Sequence, residues 1–197
     1  MPLGRPHGDR ADAARNREHL LEVAREMVAE HGVAKVTMDG LAERACLGKG
    51  TVFRRFGTRA GIFRALLDAD DRAFQQDAMS GPPPLGPGAA PVPRLAAYGR
   101  ARITFLLSHF EIARASLDRN GPAPAGGADF TRTHIWMLLR QAGLGTTNLD
   151  GLSIQLAAAL EGPVLLALWM PEPPALAQTA DWLGDSWQSL VEHVCRP

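Results

Sequence analysis

The chain has few of the features that mark secreted, metal-binding or membrane proteins. Its 197 residues include two cysteines, Cys46 and Cys195, which stand far apart and form no Cys-x-x-Cys pair. This pattern excludes a disulfide framework and a cysteine-based zinc site, and it fits a reducing compartment. The N-terminus lacks the apolar segment of a signal peptide. The sequence therefore predicts a cytoplasmic protein without a metal ion or other cofactor.

Long apolar runs and a net charge are also lacking. Residues 151–170 are rich in Leu and Ala, but Gln155, Glu161 and Pro163 interrupt them, which favours a buried helix over a membrane span. The formal net charge is zero, yet it is unevenly spread. Residues 1–64 hold 12 Lys and Arg against 8 Asp and Glu (+4), whereas residues 65–197 hold 9 against 13 (−4). The basic N-terminal part is the part suited to a polyanion.

No alternation of apolar and polar residues indicates strands, and helical spacing recurs throughout. Three Pro/Gly-rich segments, residues 80–93, 120–127 and 171–174, break the chain between the predicted helices. The sequence therefore predicts an all-α fold of about nine helices. The polar, Gly- and Pro-containing residues 1–14 are expected to form a flexible basic arm, which is either a solvated tail or a segment that lies along a DNA groove.

The segment from Val36 to Phe63 predicts a helix-turn-helix. Thr37 is a suitable N-cap for a short helix that starts at Met38, Cys46 and Leu47 form the turn, and Gly48 caps a second helix. On the second helix Val52 and Phe56 lie four residues apart on the inward side. Its polar face consists of Lys49, Thr51, Arg54 and Arg55. A short cationic helix held in this way fits the DNA major groove.

Residues from about 15 to 67 resemble the DNA-binding domain of TetR-family transcriptional regulators. The resemblance is carried by His31-Gly32, by VTMDGLAERA, and above all by GKGTVFRRF followed by Thr58-Arg59. It implies that Lys49 reads bases, that Thr51 and Phe53 touch bases or backbone, and that Arg55 and Arg59 hold phosphates. Thr37 would offer its hydroxyl and amide to a phosphate at a helix N-terminus, which is also a favourable anion site on physical grounds. The full set of expected DNA contacts is Thr37, Lys49, Gly50, Thr51, Phe53, Arg54, Arg55 and Arg59.

Two positions depart from the family pattern. Cys46 replaces the usual turn glycine, so the backbone there either avoids positive φ or tolerates strain. Phe53 replaces the more usual Tyr and lacks its hydroxyl.

The resemblance also implies a second, helical domain for ligand binding and dimerisation. The predicted division is residues 15–60 for the helix-turn-helix domain and residues 61–197 for this second domain. Leucines and other apolar residues repeat at helical spacing along the last two helices. These stripes either pack within their own domain or pair with a second subunit as a four-helix interface. The candidate interface residues are Leu152, Leu156, Leu160, Leu176, Leu183, Trp187 and Leu190.

A pocket for a small-molecule effector is expected among the helices between Arg94 and Met170. Aromatic and apolar residues would line it, and a few basic residues would supply polar contacts. The candidate residues are Arg102, Phe105, His109, Phe110, Trp136, Met137, Arg140 and Trp169.

An enzymatic function is not supported by the sequence. Gly48 to Thr51 superficially resembles a phosphate-binding loop, but Glu43 and Gly50 occupy positions that such a loop gives to Gly and to Ser or Thr. Cys46 has no nearby His to activate it as a nucleophile. The predicted function is a homodimeric repressor that a small molecule releases from a double-stranded DNA operator. The alternatives are an activator or constitutive DNA binder without a ligand, and a helical protein-interaction module.

Overall fold

The computed structural model describes residues 6–117, 127–145, 148–168 and 176–196. These residues contain nine α-helices, one short 3-10 helix at Val33–Lys35 and no named strand. The predicted all-α class is therefore confirmed. The helices are α1 (Pro6–His31), α2 (Met38–Arg44), α3 (Lys49–Phe56), α4 (Arg59–Ser80), α5 (Pro91–Ser108), α6 (Phe110–Ser116), α7 (Gly127–Gln141), α8 (Leu149–Leu168) and α9 (Leu176–Val194).

Helix α1 corrects the prediction of a flexible arm. It begins at Pro6, so residues 6–14 are helical. Proline is compatible with the first turn of a helix because its missing N–H would have no partner there. Ala11, Ala13 and Ala14 favour the helix, and extending an existing helix adds one hydrogen bond for each residue fixed. The N-terminal basic residues of this segment therefore belong to α1.

The chain divides into two compact units, each with its own core. The first comprises Met1–Asp68 and Glu111–Pro122, and the second comprises Ala69–Phe110 and Ala123–Pro197. The boundary lies within α4, eight residues after the predicted division at residue 60. No turn or linker marks it, because α4 is continuous through the boundary.

The core of the first unit contains apolar residues of the three N-terminal helices, including the predicted inward residues Val52 and Phe56. Ile62, Phe63 and Leu66 of α4 are fully buried in the same unit. The residues contributed by the first three helices are Leu20, Leu21, Val23, Ala24, Met27, Leu41, Ala42, Val52 and Phe56. Arg44 joins α2 to α1 by donating hydrogen bonds to Glu26, at 3.2 Å, and to Glu30. The hydrogen bond from Arg44 holds the pKa of the Glu30 carboxyl below its usual value.

The core of the second unit includes residues from α4, α5, α7, α8 and α9. Tyr98, Ile135, Leu138 and Leu139 are fully buried at its centre. Trp187 of α9 lies against α5, where its indole N–H donates to the carbonyl of Leu95 at 3.1 Å. Gly99 permits this approach, since a Cβ at that position would lie 1.9 Å from the Trp187 Nε1.

One described helix, Leu149–Ala167, is long and apolar enough to cross a membrane by length and composition. The same test is passed by core helices of soluble proteins, so it does not by itself indicate a membrane. In this chain Leu156, Leu160 and Val164 of the helix are buried in the core of the second unit.

Candidate nucleic-acid interface

The N-terminus of α2 is shaped by a side-chain cap. The Thr37 Oγ1 accepts a hydrogen bond from the Gly40 N–H at 3.0 Å, as the sequence predicts. A Cβ on residue 40 would lie 3.1 Å from that oxygen and 3.4 Å from the terminal methyl of Met27. Gly40 therefore leaves room for the cap to close against α1. Thr37 is exposed at this helix N-terminus, where a phosphate contact stays a prediction.

The turn between α2 and α3 contains a left-handed residue. Cys46 has φ of 53°, which is uncommon for a residue with a Cβ. The chain thus keeps the geometry that glycine usually provides and tolerates the strain. The Cys46 side chain is exposed.

Helix α3 has one buried and one exposed side. Val52 is fully buried and Phe56 nearly so, and these two residues fix the helix on the first unit's core. Gly48 is the N-cap residue of this helix, as predicted. The exposed residues are Lys49, Gly50, Phe53, Arg54 and Arg55, and Thr51 is half-buried. The residues predicted to meet DNA therefore share the accessible side of α3.

Lys49 and Arg54 have polar partners within the chain. The Lys49 Nζ lies 2.9 Å from the Asp39 carboxylate on α2, and both side chains are largely exposed. Arg54 Nη2 donates to the Thr51 hydroxyl at 3.4 Å. An exposed ion pair contributes about 0–1 kcal/mol, so DNA can replace the Asp39 partner of Lys49 at little cost.

Arg59 binds backbone carbonyls of its own chain, a role that the sequence prediction did not include. Its Nε and Nη2 donate to the carbonyls of Val36 and Val33, both at 2.7 Å. Its guanidinium carbon also lies 4.8 Å from the centre of the Phe63 ring. Arg59 thus ties α4 to the segment that precedes Thr37 and positions the α2 N-terminus. The sequence contains no local signal for this role because the acceptors lie 23 and 26 residues away.

The second unit brings together three of the predicted pocket residues. Arg102 is 5% exposed and donates to Asp71 of α4 and, at 3.1 Å, to Glu161 of α8. Its guanidinium carbon lies 5.2 Å from the centre of the Phe105 ring, which stacks on His109. Burial lowers the pKa of Arg102, but the charge of Asp71 and its other neighbours raises the pKa above the ordinary value. Asp71 and Glu161 are acidic partners that the sequence prediction missed, since they lie 31 and 59 residues from Arg102.

The other predicted pocket residues lie elsewhere. Phe110 is fully buried in the core, and Met137 packs against that core from a half-buried position. Arg140 lies over the ring of Trp136, at 5.4 Å, with an exposed side chain. Trp169 lies outside the described residues.

A buried histidine is a further polar feature of the second unit. His134 is 2% exposed, and neither ring nitrogen has a hydrogen-bond partner among the described residues. Its ring stacks on Phe130 at 5.4 Å and lies 4.6 Å from the ring of Tyr98. Burial, with a smaller contribution from Arg94, lowers the pKa of His134 to about 4. Burial also raises the pKa of Tyr98 to about 12. His134 is therefore a neutral imidazole at neutral pH.

The predicted interface residues divide between the core and the surface. Leu156, Leu160 and Trp187 are buried in their own unit, and Leu152 and Leu183 pack against that core. This corrects the interface assignment of Leu156, Leu160 and Trp187, which face inward, whereas that of Leu183 and Leu190 stays a prediction. Leu190 is partly exposed, and the side chain of Leu176 lies outside the described residues. The exposed apolar side chains of α8 and α9 are Ile154, Leu165, Leu166, Trp182 and Leu190.

Within the described residues, no group of three or more His, Cys, Asp or Glu side chains is arranged to hold a metal ion. The exposed surface of α2 and α3 offers cationic side chains that can pair with an anion and donate hydrogen bonds to it.

The N-terminal part of the chain is similar in sequence to known DNA-binding regulators. Residues 20–66 match the family model for bacterial regulatory proteins of the tetR family. The DNA-binding transcriptional repressor TetR of Mycobacteroides abscessus is 34% identical over 58 residues, which cover 29% of this chain and 30% of that protein. An HTH-type transcriptional regulator of Staphylococcus aureus is 29% identical over 65 residues, which cover 33% of this chain and 35% of the relative. The matched segment thus spans about a third of these curated relatives.

Solved structures share the fold along nearly the whole chain. A TetR-family transcriptional regulator from Pectobacterium atrosepticum has a TM-score of 0.68 at 18% identity, and the match covers 94% of this chain and 96% of that one. A complex named SmeT–triclosan has a TM-score of 0.52 at 20% identity, with 89% and 91% covered. Residues 20–66 therefore match the tetR family of bacterial regulatory proteins, and the fold along the chain is similar to that of a solved TetR-family regulator.

Proposed function

We propose that the protein is a cytoplasmic, homodimeric DNA-binding transcriptional regulator, and that it represses until a small molecule releases it from its operator. The observation that carries the proposal is helix α3. Its apolar side is locked into a core by Val52 and Phe56, while Lys49, Arg54 and Arg55 share its exposed side. A rigid cationic helix that protrudes from a small domain fits the width of the DNA major groove.

DNA binding is tested with the full chain and fluorescently labelled DNA from its own upstream region. Replacing Lys49 and Arg55 together with Ala is expected to weaken binding by about tenfold or more, because a base contact contributes about 1–3 kcal/mol. The salt dependence should become shallower by about one unit for each phosphate that the variant no longer neutralises. Arg132→Ala, on the exposed side of α7, is the matched control that removes a cation far along the chain. Unchanged affinity and salt dependence in the double variant would refute the assignment.

A second subunit is proposed to cover the outer faces of α8 and α9. Leu166 is 72% exposed and Trp182 is 65% exposed, and a groove lined in part by Pro163, Leu183 and Leu190 lies beside them. Apolar faces of this kind indicate an interface. A two-fold dimer also places two reading helices on half-sites about 34 Å apart or a multiple of that distance.

Sedimentation of the purified protein measures the oligomeric state directly. Leu166→Glu and Trp182→Glu are expected to shift it from dimer to monomer, whereas Thr133→Glu on exposed α7 surface should not. The monomeric variants should also lose affinity for a two-half-site DNA. A wild-type monomer at micromolar concentration would contradict this part of the proposal.

The effector site is proposed to lie in the second unit, near Arg102 and His134. A buried polar group without a partner is unfavourable by roughly 1–3 kcal/mol in proteins, so the two free nitrogens of His134 favour a bound polar molecule or water. A neighbouring structure is named as a complex with triclosan, and this chlorinated phenol is a suitable first probe. It should raise the melting temperature of the wild type and reduce DNA binding. His134→Phe should weaken both effects, and an unchanged melting temperature in the wild type would exclude this class of ligand.

A further inference from the structure

Phe53 is an exposed aromatic side chain on the cationic side of α3. It is 65% exposed, whereas its sequence neighbour Val52 is fully buried. Single exposed apolar residues are common on protein surfaces, so exposure alone assigns no role. The position is informative because every other exposed residue of this helix is cationic or glycine. Folding does not account for a large apolar ring at this place.

The immediate surroundings of Phe53 leave space for a base edge. Lys49 lies four residues before Phe53 and Gly50 three residues before it, so all three share one face of the helix. A Cβ added to Gly50 would have no neighbour within 4 Å. The surface beside the phenyl ring is therefore shallow, and the helix backbone can come close to a ligand there. Lys49 borders this gap and is held at 2.9 Å from Asp39.

The chemistry of the side chain limits what it can recognise. Phenylalanine has no hydrogen-bond donor or acceptor, so it neither holds a phosphate nor pairs with the polar atoms of a base. The apolar group that the major groove presents is the C5 methyl of thymine. We propose that Phe53 determines sequence specificity by contacting one thymine methyl in each half-site, an inference that rests on the DNA-binding function proposed above.

The spacing along the helix predicts where that thymine lies. Four residues of α-helix rise about 6 Å, and base pairs follow one another at about 3.4 Å. The thymine is therefore one or two base pairs from the base that Lys49 contacts. Lys49 favours a guanine, whose O6 and N7 accept hydrogen bonds. The half-site should thus contain a guanine with a thymine one or two steps away.

The test begins by selecting bound sequences from random DNA with the full-length protein. Each thymine of the selected half-site is then replaced by uracil, which removes only the C5 methyl, and the dissociation constant is measured. One thymine should be sensitive, with an affinity reduced about fourfold, the value expected for one buried methyl group. Replacement of the remaining thymines should change the affinity much less.

Variants at position 53 separate methyl recognition from a general role. Phe53→Ala should abolish the difference between thymine and uracil, and Phe53→Leu should retain part of it. Neither variant should change the melting temperature or the slope of affinity against salt, because the side chain is exposed and uncharged. Arg54→Ala is the matched control on the same helix, and it should make that slope shallower while thymine sensitivity persists.

The outcomes distinguish this inference from the function on which it rests. If the wild type binds selected DNA but uracil is tolerated at every thymine, the inference is overturned and DNA binding stands. The inference also fails if Phe53→Ala keeps the sensitivity to uracil. If no DNA is selected and no DNA binds, both the inference and the proposed function are overturned.

Discussion

Replacing Arg102 should reveal how strongly the buried charge cluster holds the second unit together. The Arg102 side chain is 6% exposed, and those of its partners Asp71 and Glu161 are 14% and 16% exposed. Arg102→Met would leave two carboxylates in the interior without their cation. Breaking a buried pair by removing one partner reduces stability by about 3–5 kcal/mol. Because one guanidinium serves two carboxylates here, we expect a destabilisation in that range.

A matched arginine lies two residues away on the same helix. Arg100 of α5 pairs with Asp185 and donates to Gln188 at 3.0 Å, but its side chain is 41% exposed and that of Asp185 is 73% exposed. Solvent screens this pair, so Arg100→Met should cost no more than about 1 kcal/mol. A triple variant, Asp71→Leu with Arg102→Met and Glu161→Leu, should recover most of the stability, since apolar replacement of a whole buried cluster is often neutral or stabilising.

Urea unfolding followed by tryptophan fluorescence is the appropriate assay. All four tryptophans belong to the second unit, so their signal reports on the part of the chain that contains the cluster. Protein concentration must be equal in all samples because an oligomer gains stability by mass action. The reasoning is refuted if Arg102→Met is no less stable than Arg100→Met, or if the triple variant is as unstable as Arg102→Met alone.

Three further predictions address other parts of the molecule. Because the pKa of His134 is about 4 in the folded protein and 6.5 in the reference state, unfolding takes up a proton between these values. About 3 kcal/mol of stability should therefore be lost as pH falls from 6.5 to 4, and His134→Phe should remove this dependence in urea titrations. Gly99→Ala should destabilise the protein by about 2–4 kcal/mol because Trp187 blocks the methyl group, whereas Gly50→Ala in open space should stabilise it by up to about 1 kcal/mol. Equal melting temperatures of the two glycine variants would contradict the packing argument. Asp39→Asn should strengthen binding to random DNA several-fold by removing a negative charge beside Lys49, and weaker binding would show that the ion pair orients the lysine.

The helix-turn-helix could be predicted closely because its signals are local. Thr37 and Gly48 are the N-cap residues of α2 and α3, and an N-cap interacts only with residues a few positions away. Val52 and Phe56 lie four residues apart, and this spacing shows which side of α3 is buried. Arg59 shows the limit of this approach. Its guanidinium binds the carbonyls of Val33 and Val36 only after the chain has folded, so local spacing does not predict this role.

The second unit was less predictable because its site depends on distant contacts. Arg102 was among the candidate pocket residues, but its carboxylate partners come from two other helices. His134 is a similar case, since only its burial distinguishes it from a surface histidine. The interface prediction was wrong for the buried Leu156, Leu160 and Trp187 for another reason. A stripe of Leu and Trp at helical spacing shows which face is apolar but not whether the covering surface belongs to the same chain.

The exposed outer faces of α8 and α9 support a second subunit more strongly than the helical spacing of apolar residues in the sequence does. A helix that is apolar on all sides is normally buried on all sides. In Leu149–Ala167 only 22% of the residues are buried within the chain, and Leu165 and Leu166 remain exposed. The inner face of the same helix is occupied, since Leu156 and Leu160 pack in the core and Glu161 binds Arg102. On α9, the exposed residues include both apolar Trp182 and Leu190 and polar Ser186 and Ser189. Such a mixed surface is typical of an interface with another protein and not of a lipid-facing helix. We therefore expect the cover to be the same two helices of a second copy.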